Sequence, residues 1–335
     1  MLFFLSPKKI FHNATVKLPL TKKYTIKYFF YKTIELFFII LNNFFPVYRL
    51  KVKDIKQIDL SLLPINDYYY ISDSFFYNNK KKWITWVARL KDWDDFLFYA
   101  LESYLPIVDE LILVDNNSSD KTVSICKDFL KRYPSKVKFY HYKKEIFWAA
   151  TWIETSNTNP NSLSYFYNRC FSKANYSHVI KIDDDNIAIS SQYKILRKKI
   201  LKENKPWLYA TWWLNIFIKN NKIWVYWNYP FSWKYWDHGI YKITPKTYYV
   251  QNWDIENLSY PYRRISYNFA FIHLKHAKKD FWFYNIRNKE IRKNLIRKTK
   301  DSQLLSLNSF LEWESLLNVY KILKKIFPKK DFLIN

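Results

Sequence analysis

The sequence predicts an α/β protein built on a mixed, Rossmann-like sheet flanked by helices, with basic helical extensions at both ends. Three observations carry that expectation. From Trp83 onward, short apolar runs alternate with stretches of helical spacing, the pattern of βαβ units. Acidic residues stand at the exits of two of those runs: Asp115, and then Asp183, Asp184 and Asp185 in HVIKIDDDNIAIS. Ligands in α/β sheets gather beyond the carboxyl ends of strands. Finally, 335 residues of 49% hydrophobic content can bury a substantial core.

Residues 1–82 read as a basic, aromatic extension. Within it, 24–45 has helical spacing around an apolar run at 36–41, interrupted by Lys32 and Glu35. That run is far shorter than the roughly 18–20 residues that span a bilayer, and no small-residue cleavage site follows a long apolar core. It is expected to pack as a helix on the central domain, with a helix resting on a membrane surface as the alternative.

The central domain is expected at 83–279. Ile84–Leu90 is an apolar strand, 94–104 a helix, and 110–114 a second buried strand ending at Asp115. The polar turn DNNSSDKT leads into a helix at Thr122–Arg132, with Asp120 as its cap. Residues 136–140 form a third strand, and a helix at 165–173 feeds the strand before the three aspartates. Residues 207–249 are a set of strands broken by polar turns, and 269–279 adds an apolar strand carrying His273. The remainder, 280–335, is basic and helical, with Ile291, Leu295, Leu304 and Leu311 at apolar positions; it is expected to cover the domain or to sit against anionic lipid.

A formal charge of +26 favours anionic partners: nucleic acid, phosphorylated substrates or the inner surface of a membrane. Abundant Lys, Asn, Ile, Phe and Tyr would also follow from A/T-rich coding, which tempers that inference. Cys126 and Cys170 have neither metal-site spacing nor a disulfide framework, which suits a reducing compartment and core positions.

Three adjacent carboxylates repel one another and resist burial, so a shared cation is expected at 183–185. Hard oxygen ligands suit Mg²⁺ or Mn²⁺. If the chain stays extended there, Asp183 and Asp185 point one way and Asp184 another. A plain acidic turn after a strand is the alternative.

The series VARLKDWDDFLFYALESYLPIVDELILVDNNSSDKT, followed by VIKIDDDNIAI, resembles a family 2 glycosyltransferase with the GT-A fold. The resemblance covers about 83–279 and departs from the family pattern at Lys121, where a glycine is usual. It implies a nucleotide-sugar donor held by Asp115, Asn117, Asp120, Arg89 and Asp183; Arg169, in YFYNRC before the strand, is a candidate for a further positive contact, with a plain surface arginine as the alternative. It also implies Mn²⁺ or Mg²⁺ held by Asp183, Asp185 and His273. For an inverting transfer the implied base is Glu256 in DIENLSYP, with Asp237 in WDHG as the second candidate. Each of these carboxylates would serve equally as a loop residue or cap, and His273 as a structural histidine. The expected acceptor is a glycan or lipid-linked sugar of the cell envelope, reached from the cytoplasm at an anionic membrane surface. Nucleic acid is the alternative partner, but it leaves the acidic triplet without a purpose; a glycan-binding GT-A domain that has lost catalysis is the third reading.

One glycine, Gly239, stands against 15 tryptophans, where a chain of this length ordinarily has about 23 glycines. Trp93, Trp233, Trp236 and Trp253 occupy turn-like contexts suited to glycine. The expectation is that many Trp positions are UGA codons translated as glycine in the source; genuine tryptophans stacking on sugar or base faces are the alternative. Peptide sequencing of protein from its own host checks this: glycine at these positions is the expected result, and tryptophan overturns it.

Overall fold

The computed structural model describes residues 80–146, 159–203, 206–226, 231–232, 239–244, 247–252, 255–259, 264–278, 289–300, 304–305 and 313–332. Strands β1 (Ile84–Leu90) and β2 (Glu110–Asp115) are buried along their whole length. A strand covered on both faces has to be apolar on both, which is why ITWVARL and ELILVD run nearly continuously apolar. They pair in parallel with Leu90 opposite Asp115, and β2 pairs in parallel with β3 (Val137–His141), Asp115 opposite His141. On its other edge β1 pairs in parallel with β4 (His178–Lys181). The chain thus winds outward from β1 in both directions, and the carboxyl ends of β1 and β4 flank a topological switch point.

Helices cover both faces. On one, α1 (Leu97–Tyr104), α2 (Thr122–Arg132) and α4 (Ser190–Lys202) pack against Ile84, Trp86, Ala88 and Leu90. On the other, α3 (Leu163–Phe171) packs against Val87, Ile112 and Val179. The alternation within β1 is the period of two that a strand imposes. Ser162 caps α3 by accepting a hydrogen bond from Tyr165 N at 3.1 Å.

The second half of the sheet is mixed. β9 (Gly239–Lys242) runs antiparallel to both β4 and β6 (Leu208–Lys219). Gly239 is required there: a Cβ would lie 2.8 Å from the Tyr209 carbonyl oxygen. β6 returns as β7 (Lys222–Tyr226) through Asn220 and Asn221, both at positive φ, a two-residue hairpin loop that asparagine tolerates. β8 (Phe231–Ser232) also pairs with β6. The long β12 (Arg264–His276) pairs in parallel with β6 and antiparallel with β5 (Asn186–Ala188), directly after the three aspartates. A separate hairpin, β10 (Tyr248–Asn252) and β11 (Ile255–Ser259), is fastened to α3 by Asn168, whose amide bonds both Tyr249 O at 2.8 Å and Tyr249 N at 2.7 Å.

The expected class, a mixed α/β sheet flanked by helices, is the architecture found. Beyond 279, α5 (Lys289–Lys300) presents exposed Lys289, Lys293 and Arg297. Instead of only lying against the domain, the C-terminal region contributes β13 (Leu304–Leu305) and β14 (Asp331–Phe332) to the edge of β7. α6 (Trp313–Ile326) buries Val319, Leu323 and Ile326 in the main core. Among the described residues no helix is long and apolar enough to cross a membrane. The N-terminal helix expected at 24–45 lies outside the described residues.

In the described turns, left-handed backbone falls on residues other than tryptophan. Among the described non-glycine residues, positive φ occurs at Asp92, Asn117, Asn220 and Asn221, and at no tryptophan. In KDWDD it is Asp92 that takes the left-handed conformation, so Trp93 needs no glycine geometry; Trp233, Trp236 and Trp253 lie outside the described residues. Trp86 fills the core and donates its indole N–H to Ile182 O at 3.2 Å.

Away from the carboxyl ends, Glu110 ties three elements together. Its buried carboxylate accepts from Thr85 Oγ1 at 2.8 Å, Lys138 Nζ at 2.8 Å, Asn175 N at 3.0 Å and the Asn175 side chain. Against the penalty of burial, these partners hold its pKa below the ordinary glutamate value. A depressed carboxyl pKa stabilises the fold above the unfolded value and loses that contribution as pH falls through the folded one. Glu110→Gln is therefore expected to cost about 2–3 kcal/mol at neutral pH, measured by urea unfolding, with the gap to wild type closing below the ordinary glutamate pKa.

Candidate active site

The carboxyl ends of β1, β2 and β4 converge on one crevice. Asp115, the last residue of β2, is buried, yet its contacts are long: Ser118 N donates at 3.3 and 3.4 Å, and His141 Nδ1 lies 3.4 Å from Oδ2. A buried carboxylate held this loosely keeps acceptor capacity for something else.

The loop after it is built from side-chain-to-backbone bonds. Asn116 donates to Tyr142 O at 2.9 Å and Lys144 O at 2.7 Å. Asn117 sits at φ 54°, donates to Lys143 O at 3.2 Å and accepts from Lys91 through its carbonyl. Asp120 accepts from Thr122 N at 2.9 Å and Asp94 N at 3.0 Å. Asp120 thus ties the start of α2 to Asp94, although the residue at the helix's N-cap position is Lys121, which makes no side-chain capping bond.

Arg89 crosses the switch point. Its guanidinium is buried, donates from Nη2 to Asp183 Oδ1 at 2.7 Å and lies over the Tyr167 ring at 4.0 Å. Nε and Nη1 have no hydrogen-bond partner among the described residues. Two orphaned donors on a buried cation, beside a partly exposed aspartate, are suited to an anionic or hydroxyl-rich ligand. Arg169 stands half-buried in the last turn of α3.

The aspartates do not alternate as an extended chain would. β4 stops at Lys181, and the chain turns so that Asn186 N reaches Asp183 O at 3.2 Å. Asp183 therefore meets Arg89, while Asp184 and Asp185 together face Lys278, at 2.7 and 3.3 Å. Among the described residues no three of His, Cys, Asp and Glu form a metal cluster; of the expected set Asp183, Asp185 and His273, the last two lie together and Asp183 pairs with Arg89. The reason is the turn, which abolishes the period of two.

Those two fit a hard divalent ion. His273 comes opposite Asn186 and Asn215 in register, and Asn215 Oδ1 lies 2.8 Å from His273 Nδ1. An amide oxygen only accepts, so Nδ1 carries a proton, and Nε2 lies 3.5 Å from Asp185 Oδ1. That oxygen is buried without a hydrogen bond among the described residues. Mg²⁺ and Mn²⁺ bind through one or two such donors plus waters and phosphates. Burial raises the Asp184 carboxyl; against the same burial, Lys278 and His273 hold Asp185 well below the usual carboxylate range.

Glu256, on β11, joins the same group of side chains: its Oε1 lies 3.2 Å from Nζ of the buried Lys181, two residues before Asp183, and it is near enough to Arg89 and Tyr167 to act on them electrostatically. Asp237 lies outside the described residues. His276, three residues after His273 on the same strand, is largely enclosed, and burial lowers its pKa to about 3. Sequence reasoning missed Lys181, Lys278, Asn215 and Tyr167. Only Lys181 left a signal, a lysine inside the apolar run VIKI.

No protein-family model matches the chain, and no curated protein is similar to it in sequence. Among solved structures it is similar to S. aureus TarS 1–349 in complex with UDP, at 15% identity over 41% of this chain and 36% of that one, TM-score 0.30. A second TarS 1–349 structure gives 13% identity over 74% and 72%, TM-score 0.37. Glucosyl-3-phosphoglycerate synthase from Mycobacterium tuberculosis, in complex with Mn²⁺, UDP and glucosyl-3-phosphoglycerate, gives 16% over 39% and 44%, TM-score 0.26. The first and third matches span less than half the length of those chains. At such identity and overlap, the chemistry has to come from this chain's own side chains.

The left-handed turn offers a direct check. Asn117→Gly should leave stability nearly unchanged, whereas Asn117→Val should cost about 1–2 kcal/mol, read as a lowered unfolding midpoint.

Proposed function

We propose that this chain is an inverting, nucleotide-sugar-dependent glycosyltransferase of the GT-A type. The observation that carries the reading is the gathering of Asp115, the Arg89–Asp183 pair and the Asp185–His273 pair at the carboxyl ends of parallel strands, across a switch point. Loosely held Asp115 receives the hydroxyls of a ribose or the polar edge of a base. The orphaned guanidinium nitrogens of Arg89 and the carboxylate of Asp183 orient the sugar and phosphate ends of the donor. Asp185 and His273 hold Mn²⁺ or Mg²⁺, which when bound supplies positive charge against the departing diphosphate.

Glu256 acts as base. It takes the proton of the acceptor hydroxyl as that oxygen attacks the anomeric carbon, and the nucleoside diphosphate leaves with the electrons of the broken C–O bond. Lys181 Nζ, 3.2 Å from Glu256 Oε1, positions that carboxylate. The acceptor is a glycan or lipid-linked hydroxyl of the envelope, and the basic surface favours an anionic membrane nearby. A nucleic-acid-binding reading leaves the buried Arg89–Asp183 and Asp184–Asp185–Lys278 contacts without a use.

Calorimetric titration with UDP, GDP, CDP and dTDP, with and without Mn²⁺, tests the donor site. One nucleotide should bind in a manganese-dependent way, and Asp185→Ala should abolish that dependence. Glu256→Gln should keep nucleotide affinity while slowing release of nucleoside diphosphate from the sugar donor by about 10²–10⁴-fold. Normal turnover in Glu256→Gln removes it as the base, and salt-sensitive RNA or DNA binding without nucleotide affinity overturns the reading.

A further inference from the structure

Lys278 follows β12 through a tight turn, Ala277 N donating to Leu274 O at 2.8 Å, and its side chain points back into the protein. Only 5% of that side chain is exposed, and Nζ lies 2.7 Å from Asp184 Oδ1 and 3.3 Å from Asp185 Oδ2. The far oxygens of the pair, Asp184 Oδ2 and Asp185 Oδ1, are buried without hydrogen bonds among the described residues. Two neighbouring carboxylates enclosed in this way cannot both remain ionised unless a cation lies between them. The chain supplies that cation itself.

We infer that Lys278 is an internal counter-cation that holds the Asp184–Asp185 pair assembled when no divalent ion is bound, and so sets the cation affinity of Asp185. The ammonium occupies the Oδ2 side of Asp185, so an ion taken up through Oδ1 meets a positive charge close by. Binding of the metal alone is weakened, and the negative diphosphate of a donor relieves the repulsion. Without the ammonium, nothing on the Oδ2 side of Asp185 opposes an incoming metal ion. Lys278 is in this sense a positioning residue, acting through Asp185. The identity of the competing ion rests on the donor-site reading; the counter-cation role does not.

The test uses the full chain as wild type, Lys278→Met and Lys278→Met/Asp184→Asn, with thermal unfolding and calorimetry against Mn²⁺ alone and Mn²⁺ with UDP. Without metal, Lys278→Met should melt below wild type, and Mn²⁺ should recover most of the loss. Its affinity for Mn²⁺ alone should exceed that of wild type by about tenfold or more. Adding Asp184→Asn, which removes one of the two charges, should restore metal-free stability. If Lys278→Met folds only in the presence of Mn²⁺, or only with Asp184→Asn, the role stands. The inference is overturned by an equal Mn²⁺ response in wild type and Lys278→Met, by no Mn²⁺ response in Lys278→Met, or by a double variant that stays unfolded with and without Mn²⁺. Nucleotide titration separates the two readings. A wild type that binds no nucleotide, beside a Lys278→Met that gains Mn²⁺ stabilisation, removes the donor site and keeps the counter-cation. Normal nucleotide binding with an unchanged Mn²⁺ response does the reverse.

Discussion

Three consecutive carboxylates at the end of a buried strand impose the constraint around which this molecule is arranged. Their charge has to be met inside the protein, and the chain meets it from two directions. Arg89, at the end of the central strand, takes Asp183; Lys278, just past the longest strand, takes Asp184 and Asp185. These contacts join β1, β4 and the turn after β12, so the elements that frame the crevice are held together by the charges that also give it its chemistry. A similar logic operates at the opposite end of the sheet, where Glu110 is buried with Lys138, Thr85 and Asn175 around it. There both oxygens are fully engaged. At the crevice, Arg89 and Asp185 keep buried polar atoms without hydrogen bonds among the described residues, which is the physical difference between a carboxylate that stabilises a fold and a cluster prepared for a ligand.

Asparagine and aspartate do the conformational work for which glycine is ordinarily used. Asp92, Asn117, Asn220 and Asn221 adopt left-handed backbone, which short polar side chains tolerate; those of Asp92, Asn117 and Asn221 find hydrogen-bond partners far away in sequence, at Ser119, Lys143 and Lys329. Where there is no room for any side chain, as at the crossing of β9 and β6, the chain has Gly239. The loop between β2 and α2 is thereby stiffened from within, through Asn116, Asn117 and Asp120, while Asp115 is left with the weakest contacts of the group.

Much of this was legible beforehand. The parallel strands announced themselves as continuous apolar runs, and Asp115 and the aspartate triplet marked their exits, because burial on both faces leaves polar residues nowhere else to stand. The strand Ile84–Leu90 and the helix Thr122–Arg132 have the boundaries that apolar spacing and turn residues imply. The orientation of the triplet was not legible. Period-two alternation assumes extended backbone, and the turn at Asp183 removes it, separating Asp183 from Asp185. Nor could spacing show that residues 304–305 and 331–332 pair with β7, since two-residue strands carry no periodicity.

The amino-acid sequence by itself determined the class of sheet, the placement of acidic groups at its carboxyl ends and the histidine and glutamate available to join them. Those follow from local rules: hydrophobic period, strand exit and turn chemistry. Only the tertiary structure decided which cation meets which carboxylate. Arg89 lies 94 residues from Asp183, Lys278 lies 94 residues from Asp184, and Lys181 lies 75 residues from Glu256. Pairings across such distances depend on strand order and register, and one strand's worth of sheet topology, not any nearby sequence, brings each charge to its partner.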